Sequence, residues 1–532
     1  MADTSNSGIY VIESPARGQA IDADGDSVTA FVGPAPRGPV DHAVHLSAYE
    51  EFQKIFGAPQ YHCRMAFAVR QFFANGGRRA VVVRVCGTSA RNSIRLPGEA
   101  GDLILEARNP GPLEYLRASV DYDGVDQNET ANGGPFAYQH NFNLVIQRLR
   151  DARSAWIDEQ ECYRNVSVDR GSRDYIGYVL SQSELVQLAG DAPPSRPLPT
   201  IKPATMREAG YIEAMTSAAE SPVPGDYDLI GSTAAGTGLS ALEHVPDIGH
   251  VCLISGREGA SLGPVALLAA DRFCRDHQSM LIIDPPSRWA SVDDVISDQE
   301  RSGFVSPNAV TWFPAVRIEN RMGESVYTSM VGTVAAALNA ANRASGVFHL
   351  HREGPMMLRG RTRPTARLET QDIRRLARVG INGLVQRSPL HLQLLGNVTQ
   401  ARHGSMEGHW DNLELRQRVL FVLRRIRYGT RWMLFQESNP ETWDEVTAQV
   451  TDFLTELHAR SILAGAYPAD AFFVRCDNDT NAGLTGQSGA ISFIVGFALR
   501  RPAEFLAFRL HRSHGNFRIT GLGWQSGFAQ AV

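Results

Sequence analysis

At 532 residues the chain is long enough for three or four domains of roughly 150 residues, so one compact core is excluded. Its 43% apolar and 20% charged residues exclude disordered, collagen-like and disulfide-miniature classes. A formal charge of −5 is too small for counterion-driven binding to nucleic acid, and the apolar runs fall far short of the ~20 residues that cross a bilayer.

Residues 1–25 hold one strand-prone segment, Ile9-Tyr10-Val11-Ile12, with nothing local to pair with, and read as an arm. Residues 28–33 predict a strand, followed by a Pro/Gly loop to Pro39. Ser47-Ala48-Tyr49-Glu50 predicts a capping box that opens a short helix stopped by Gly57. Met65, Val69, Phe72 and Phe73 predict a second helix ending at Asn75-Gly76-Gly77, before a buried strand over 80–85. From 88 to 230 the texture changes to short strand-like pieces (103–107, 118–120, 142–146) and a proline-rich span, 193–203. Strands at 250–255, 280–284 and 309–313 then alternate with helices at 264–277 and 291–301, which argues for a right-handed parallel α/β sheet.

The last third predicts an amphipathic helix over 411–427, ended by Gly429, with Leu415, Val419, Val422, Leu423 and Ile426 as its apolar stripe. A strand over 432–435 is expected next, then Asn439 as N-cap and Pro440 as first residue of a helix through Trp443, Val446, Val450, Phe453, Leu454 and Leu457. Its outer face, with Asp444, Glu445, Asp452 and Glu456, is acidic. Strands at 471–475, 491–499 and 504–510 follow, then 516–520 and a Gly-rich tail.

The usual site chemistry is missing. Residues 231–238, Gly-Ser-Thr-Ala-Ala-Gly-Thr-Gly, lack the Gly-Lys-Ser/Thr ending of a phosphate loop. His349-Leu350-His351 has no third metal ligand at a recognisable spacing, and Gly486-Gln487-Ser488-Gly489 is not a nucleophile elbow. Asp284, before two prolines at a strand end, reads first as a turn-former. The six scattered cysteines read as buried thiols of a reducing cytoplasm. No catalytic residue, cofactor or metal site is expected, and a function built from surfaces fits better than one built from a pocket. The rival readings are a hydrolase-like enzyme using Asp284 with His250 or His277, and an adhesion module whose 88–230 region binds a host ligand.

Several blocks follow one another along the chain: 31–39 (Phe-Val-Gly-Pro-Ala-Pro-Arg-Gly-Pro), Phe52 with Phe56-Gly57, 71–80, 83–85, Ala107-Arg108-Asn109-Pro110-Gly111, Asp284-Pro285-Pro286, Phe313-Pro314, 471–477 and Arg501-Pro502-Ala503-Glu504-Phe505. Together they resemble the sheath proteins of contractile phage tails, tailocins and extracellular contractile injection systems. Their order is also that family's order. Departures occur at His349-Leu350-His351, where relatives often carry Ala-Pro, and at 395–399, where they carry Gly-Ala-Arg-Thr.

The resemblance implies a multidomain α/β and α+β chain: a linker arm (1–25), a central three-layer α/β domain in two parts (26–87 and 231–400), a β-rich inserted outer domain (88–230), a C-terminal inner α+β domain (401–510) and a second arm (511–532). It implies a homopolymer of stacked rings around an inner tube protein, with baseplate and tail terminator proteins as further partners. Such a polymer is assembled in a host or producer cytoplasm and forms part of a virion tail or released particle. The arms are expected to donate strands to neighbouring copies through Ile9, Tyr10, Val11, Ile12, Phe517 and Ile519. Arg424, Arg425 and Arg427 are the candidate basic contact to an acidic tube; a solvated face, or pairing with the acidic helix 444–456, remains open.

Overall fold

The computed structural model describes residues 20–23, 27–57, 63–87, 90–111, 113–125, 140–151, 155–200, 210–215, 223–256, 261–319, 325–344, 362–388, 391–401, 410–513 and 516–526. An eight-stranded sheet forms the centre, in the order His391–Leu395, Asn382–Ser388, Ala309–Phe313, Met280–Ile283, Ile248–Leu253, Val28–Gly33, Ala80–Arg84, Ala43–Leu46. The six inner strands are parallel and the two edge strands antiparallel. Inner strands are covered on both faces, which is why Val28–Gly33 and Ala80–Arg84 are buried throughout and mostly apolar, with Thr29 and Arg84 as the polar exceptions.

Alternate side chains divide between two helical layers. Phe31, Cys252, Ile282 and Trp312 pack towards the helices Arg64–Ala74 and Val331–Ala344, while Ala30, Val251, Leu253 and Leu281 pack towards Pro264–His277. The first two helices meet at Gly332, where an added Cβ would lie 1.8 Å from the Ala68 carbonyl oxygen. Residues 28–84 therefore complete the same sheet as 248–395.

The chain leaves this sheet after Arg84 to build two antiparallel sheets. One contains Leu116–Asp121, Asn141–Leu149, Ile157–Ser167 and the short Ile212–Glu213; the other contains Ser93–Leu96, Leu103–Ala107 and Val186–Leu188. They share one core, with Leu96, Leu105, Val120, Phe142 and Leu144. A further small sheet pairs Ser325–Thr328, Val316–Glu319 and Thr362–Pro364.

The last unit is an antiparallel sheet of Phe472–Arg475, Ile491–Phe497, Glu504–Ser513 and Asn516–Ser526, packed against the helices Leu413–Gly429 and Pro440–Ala459. Asn439 caps the second helix as expected: its Oδ1 accepts the Thr442 amide at 2.9 Å. Asn439→Ala is expected to cost about 1 kcal/mol, read as a lower thermal midpoint with an unchanged fold.

Three local expectations differ from what forms. Residues 432–435 lie in a 3₁₀ helix, Arg431–Phe435, because Thr430 and the preceding helix end continue the turn. The short helix Tyr49–Phe56 takes Ala48 as its N-cap, and Glu51 rather than Glu50 reaches back, accepting the Ser47 amide at 2.7 Å. Position 511 falls inside the strand Glu504–Ser513, and Asn516–Ser526 returns along it as the second half of a hairpin.

Candidate functional site

Open parallel sheets bind ligands at the carboxyl ends of their strands. Here that edge is filled by the chain itself. The Arg84 guanidinium is buried and donates to the carbonyls of Ala35 (3.1 Å), Gly38 (2.6 Å) and Pro110 (2.9 Å). Arg37 donates to the Leu149 carbonyl at 3.2 Å and to Asp158 at 2.8 Å, so two arginines of the central unit hold the inserted sheets in place. Asp284, the carboxylate at this edge, is fully engaged: Arg64 donates to one oxygen at 3.0 Å and the Met330 amide to the other at 2.9 Å. The cleft beside it, about 10 Å³, holds no more than a water.

The histidines of the enzyme reading sit at the opposite edge. His250 is in register with Met280, four residues before Asp284, so about 13 Å of strand separates them at ~3.3 Å per residue. His250 is buried beside Asn339, and burial, reinforced by Arg424, pushes its pKa down to about 3. Asn339 in turn donates to Thr29 Oγ1 at 3.0 Å and accepts from Ser27 at 3.2 Å. His277 stacks on Phe273 with ring centroids 4.0 Å apart, and burial followed by Arg427 lowers its pKa. These are packed core histidines, and no acid–base pair with Asp284 forms.

The same edge receives the C-terminal unit. Arg424 donates through Nε to Asp247 Oδ1 at 3.0 Å and through Nη1 to the Gln278 carbonyl at 3.1 Å. Arg425 lies 3.4 Å from Asp247 Oδ2 and 3.3 Å from Asp22 Oδ2. Arg427 donates to the Asp276 carbonyl and to Gln278 Oε1. With 3% and 8% of their surface exposed, Arg424 and Arg425 are core residues of an interdomain joint, neither a basic face for a tube nor partners of the acidic helix. One signal in the sequence marks this: five consecutive apolar residues, Val419 to Leu423, make a helix apolar on all sides, which is buried on all sides.

Burial also raises the thiol pKa of Cys63 to about 11 and of Cys252 and Cys274 well above the ordinary value, as expected of buried thiols, whereas Cys162 is exposed.

Among the described residues, Asn516–Ser526 is an edge strand of its sheet, bonded on one side to Glu504–Ser513. Phe517 and Ile519 turn half-buried onto the core of their own unit, while Arg518, Thr520, Gly521, Leu522 and Gly523 are exposed. Ile9, Tyr10, Val11 and Ile12, and His349-Leu350-His351, lie outside the described residues.

No protein-family model and no curated protein matches the sequence. Solved structures do match. The sheath tail protein of Listeria innocua superposes with a TM-score of 0.57 at 11% identity, over 95% of this chain and 96% of that one. This chain has the tail sheath fold. The sheath tail protein of Desulfitobacterium hafniense gives a TM-score of 0.52 at 10% identity over 95% and 99% of the two chains. The contracted sheath of the PVC extracellular contractile injection system gives 0.50 at 14% identity over 95% and 97%. The sheath fold thus accounts for nearly the whole chain, insertion included.

Proposed function

We propose that the chain is the structural subunit of a contractile sheath: it polymerises as stacked rings around an inner tube, and the polymer shortens to drive that tube through a target envelope. The observation that carries this reading is the sheath fold over 95% of the chain. Baseplate and terminator proteins are proposed at the polymer's ends. No nucleotide is consumed in this proposal; the work comes from the free-energy difference between two lattices of the same subunits.

Strand exchange supplies the lattice bonds. An arm carrying Ile9 to Ile12 adds to the exposed edge of a neighbour's Asn516–Ser526 strand. Four or five backbone hydrogen bonds at roughly 1 kcal/mol each are nearly cancelled by the ~1–2 kcal/mol per residue cost of ordering the arm. Burying two arm side chains adds roughly 1.5–3 kcal/mol each, so one contact is weak and a ring of them is strong. Asn516–Ser526 also serves as a donated strand when its hairpin opens, because Phe517 and Ile519 then make the same contacts on a neighbour's Glu504–Ser513 strand.

The experiment is electron microscopy of the purified chain. Hollow striated rods are expected from the full sequence, and deletion of residues 1–13 is expected to abolish them while the subunit's thermal transition is retained. A full-length chain that stays monomeric with and without its tube protein defeats the reading.

A further inference from the structure

Two exposed helical faces of opposite charge lie on different units of the chain. On the central unit, the helix Thr370–Arg378 packs Leu376 inward and turns Arg374, Arg375 and Arg378 outward, with Arg367 exposed just before it. Arg375 already meets Asp293 of the acidic helix Val292–Ser302, whereas Arg367, Arg374 and Arg378 have no ion-pair partner among the described residues. On the C-terminal unit, Pro440–Ala459 buries Trp443, Val446, Val450 and Phe453 and exposes Glu441, Asp444, Ala448 and Asp452. Its three acidic groups likewise have no ion-pair partner among the described residues; Glu456, further along, pairs with Arg460. Ala448, between Asp444 and Asp452, leaves room for long side chains to reach both carboxylates.

Resting on the sheath reading, we propose that these faces mate between copies, the basic face of one subunit seated on the acidic face of the next. Charge selects this arrangement. A basic face placed against its own copy repels, so two-fold pairing through either face is disfavoured. Contact between two different faces is head-to-tail, and such a contact propagates into a ring or an open helix instead of closing as a dimer. The groups are solvent-exposed, so their attraction is screened over about 8 Å at physiological salt and acts on assembly more than on subunit folding. Salt is therefore a lever on the polymer.

The test is a charge swap, read by sedimentation and electron microscopy of the chain with and without its tube protein in about 0.05 M and 0.5 M NaCl. Arg374→Glu with Arg378→Glu, or Asp444→Arg with Asp452→Arg, is expected to raise the critical concentration for rods at least tenfold at low salt, with thermal unfolding unchanged. All four substitutions together are expected to restore it to within about threefold of the parent chain. The neutral pair Arg374→Gln with Arg378→Gln is expected to weaken assembly less and to flatten its salt dependence. Rods unchanged by either reversal, or four substitutions no better than two, overturn the pairing while leaving the sheath reading intact. A defect seen only when tube protein is added overturns it in favour of a tube contact, and a parent chain that forms no rods with or without tube protein defeats both.

Discussion

Asp247→Ala is expected to destabilise the joint between the central and C-terminal units by about 3–5 kcal/mol, the range for removing one member of a buried ion pair. Asp247 stands between the short 3₁₀ helix Gly238–Leu242 and the strand Ile248–Leu253, with its side chain 10% exposed. It faces Arg424 at 3.0 Å, Arg425 at 3.4 Å and, more loosely, Arg79 at 3.9 Å. Asp22 offers Arg425 a second carboxylate, but that group is 60% exposed and gives Arg424 nothing. Without Asp247, the Arg424 cation remains almost fully buried with only the Gln278 carbonyl as a named acceptor. The measurement is hydrogen exchange in Leu413–Gly429 across a urea series: its protection should collapse before that of the central strands. Asp247→Asn keeps the shape and removes the charge, and should fall between the two. Equal protection in all three chains would show that apolar packing alone holds the joint.

How much of this was legible in the sequence depends on the length of the signal. The doubly covered sheet was legible because Ala80–Arg84 and Met280–Ile283 are short, largely apolar runs rich in Val and Ile, set between helices at regular intervals. Asn439-Pro440 marked a helix start to the residue, because the cap is chemistry between neighbours in sequence. Residues 432–435 were not legible: four residues cannot distinguish a strand from a 3₁₀ turn, and the arrangement was decided by Thr430 and the end of the helix before it. The long strand Ile157–Ser167 escaped notice for a different reason. It is half-exposed along most of its length, so its residues are charged and polar and carry no apolar alternation strong enough to read. The arginines of Leu413–Gly429 were seen as charge, but charge does not state its partner. Asp247 lies 177 positions away from Arg424, and only the fold brings them to one point. The basic face on Thr370–Arg378 is masked in the sequence by the denser run at 424–427, of which burial removes Arg424 and Arg425 from the surface.

The same joint is expected to lose stability in mild acid. The folded-state pKa of His250 is about 3, lowered by burial first and by the nearby Arg424 second, with the Asn339 hydrogen bond acting in the opposite sense. An unfolded histidine titrates near 6.5. Between these values the unfolded chain takes up a proton that the folded chain refuses, so stability rises with pH across the window and falls as pH is lowered. The contribution is fully present above about pH 6.5 and is withdrawn below it at up to ~1.4 kcal/mol per pH unit for each such group. His277 adds in the same direction: burial and Arg427 depress its pKa, against a smaller opposing pull from Glu243 and Asp276. From pH 6.5 to 5, still above the usual carboxylate range, the loss is expected to approach ~2 kcal/mol for His250 alone. Both rings feel the charge of arginines on the helix Leu413–Gly429, so a forced proton adds like charge to the joint itself, and that joint should open first. Hydrogen exchange at pH 7 and pH 5 in Leu413–Gly429, with Ala309–Phe313 as the reference strand, measures this. His250→Gln should be somewhat less stable at pH 7, having lost its fit to Asn339, yet show the shallower dependence on pH. Parallel pH dependences in the two chains would show that His250 takes its proton equally well folded and unfolded, contrary to its surroundings.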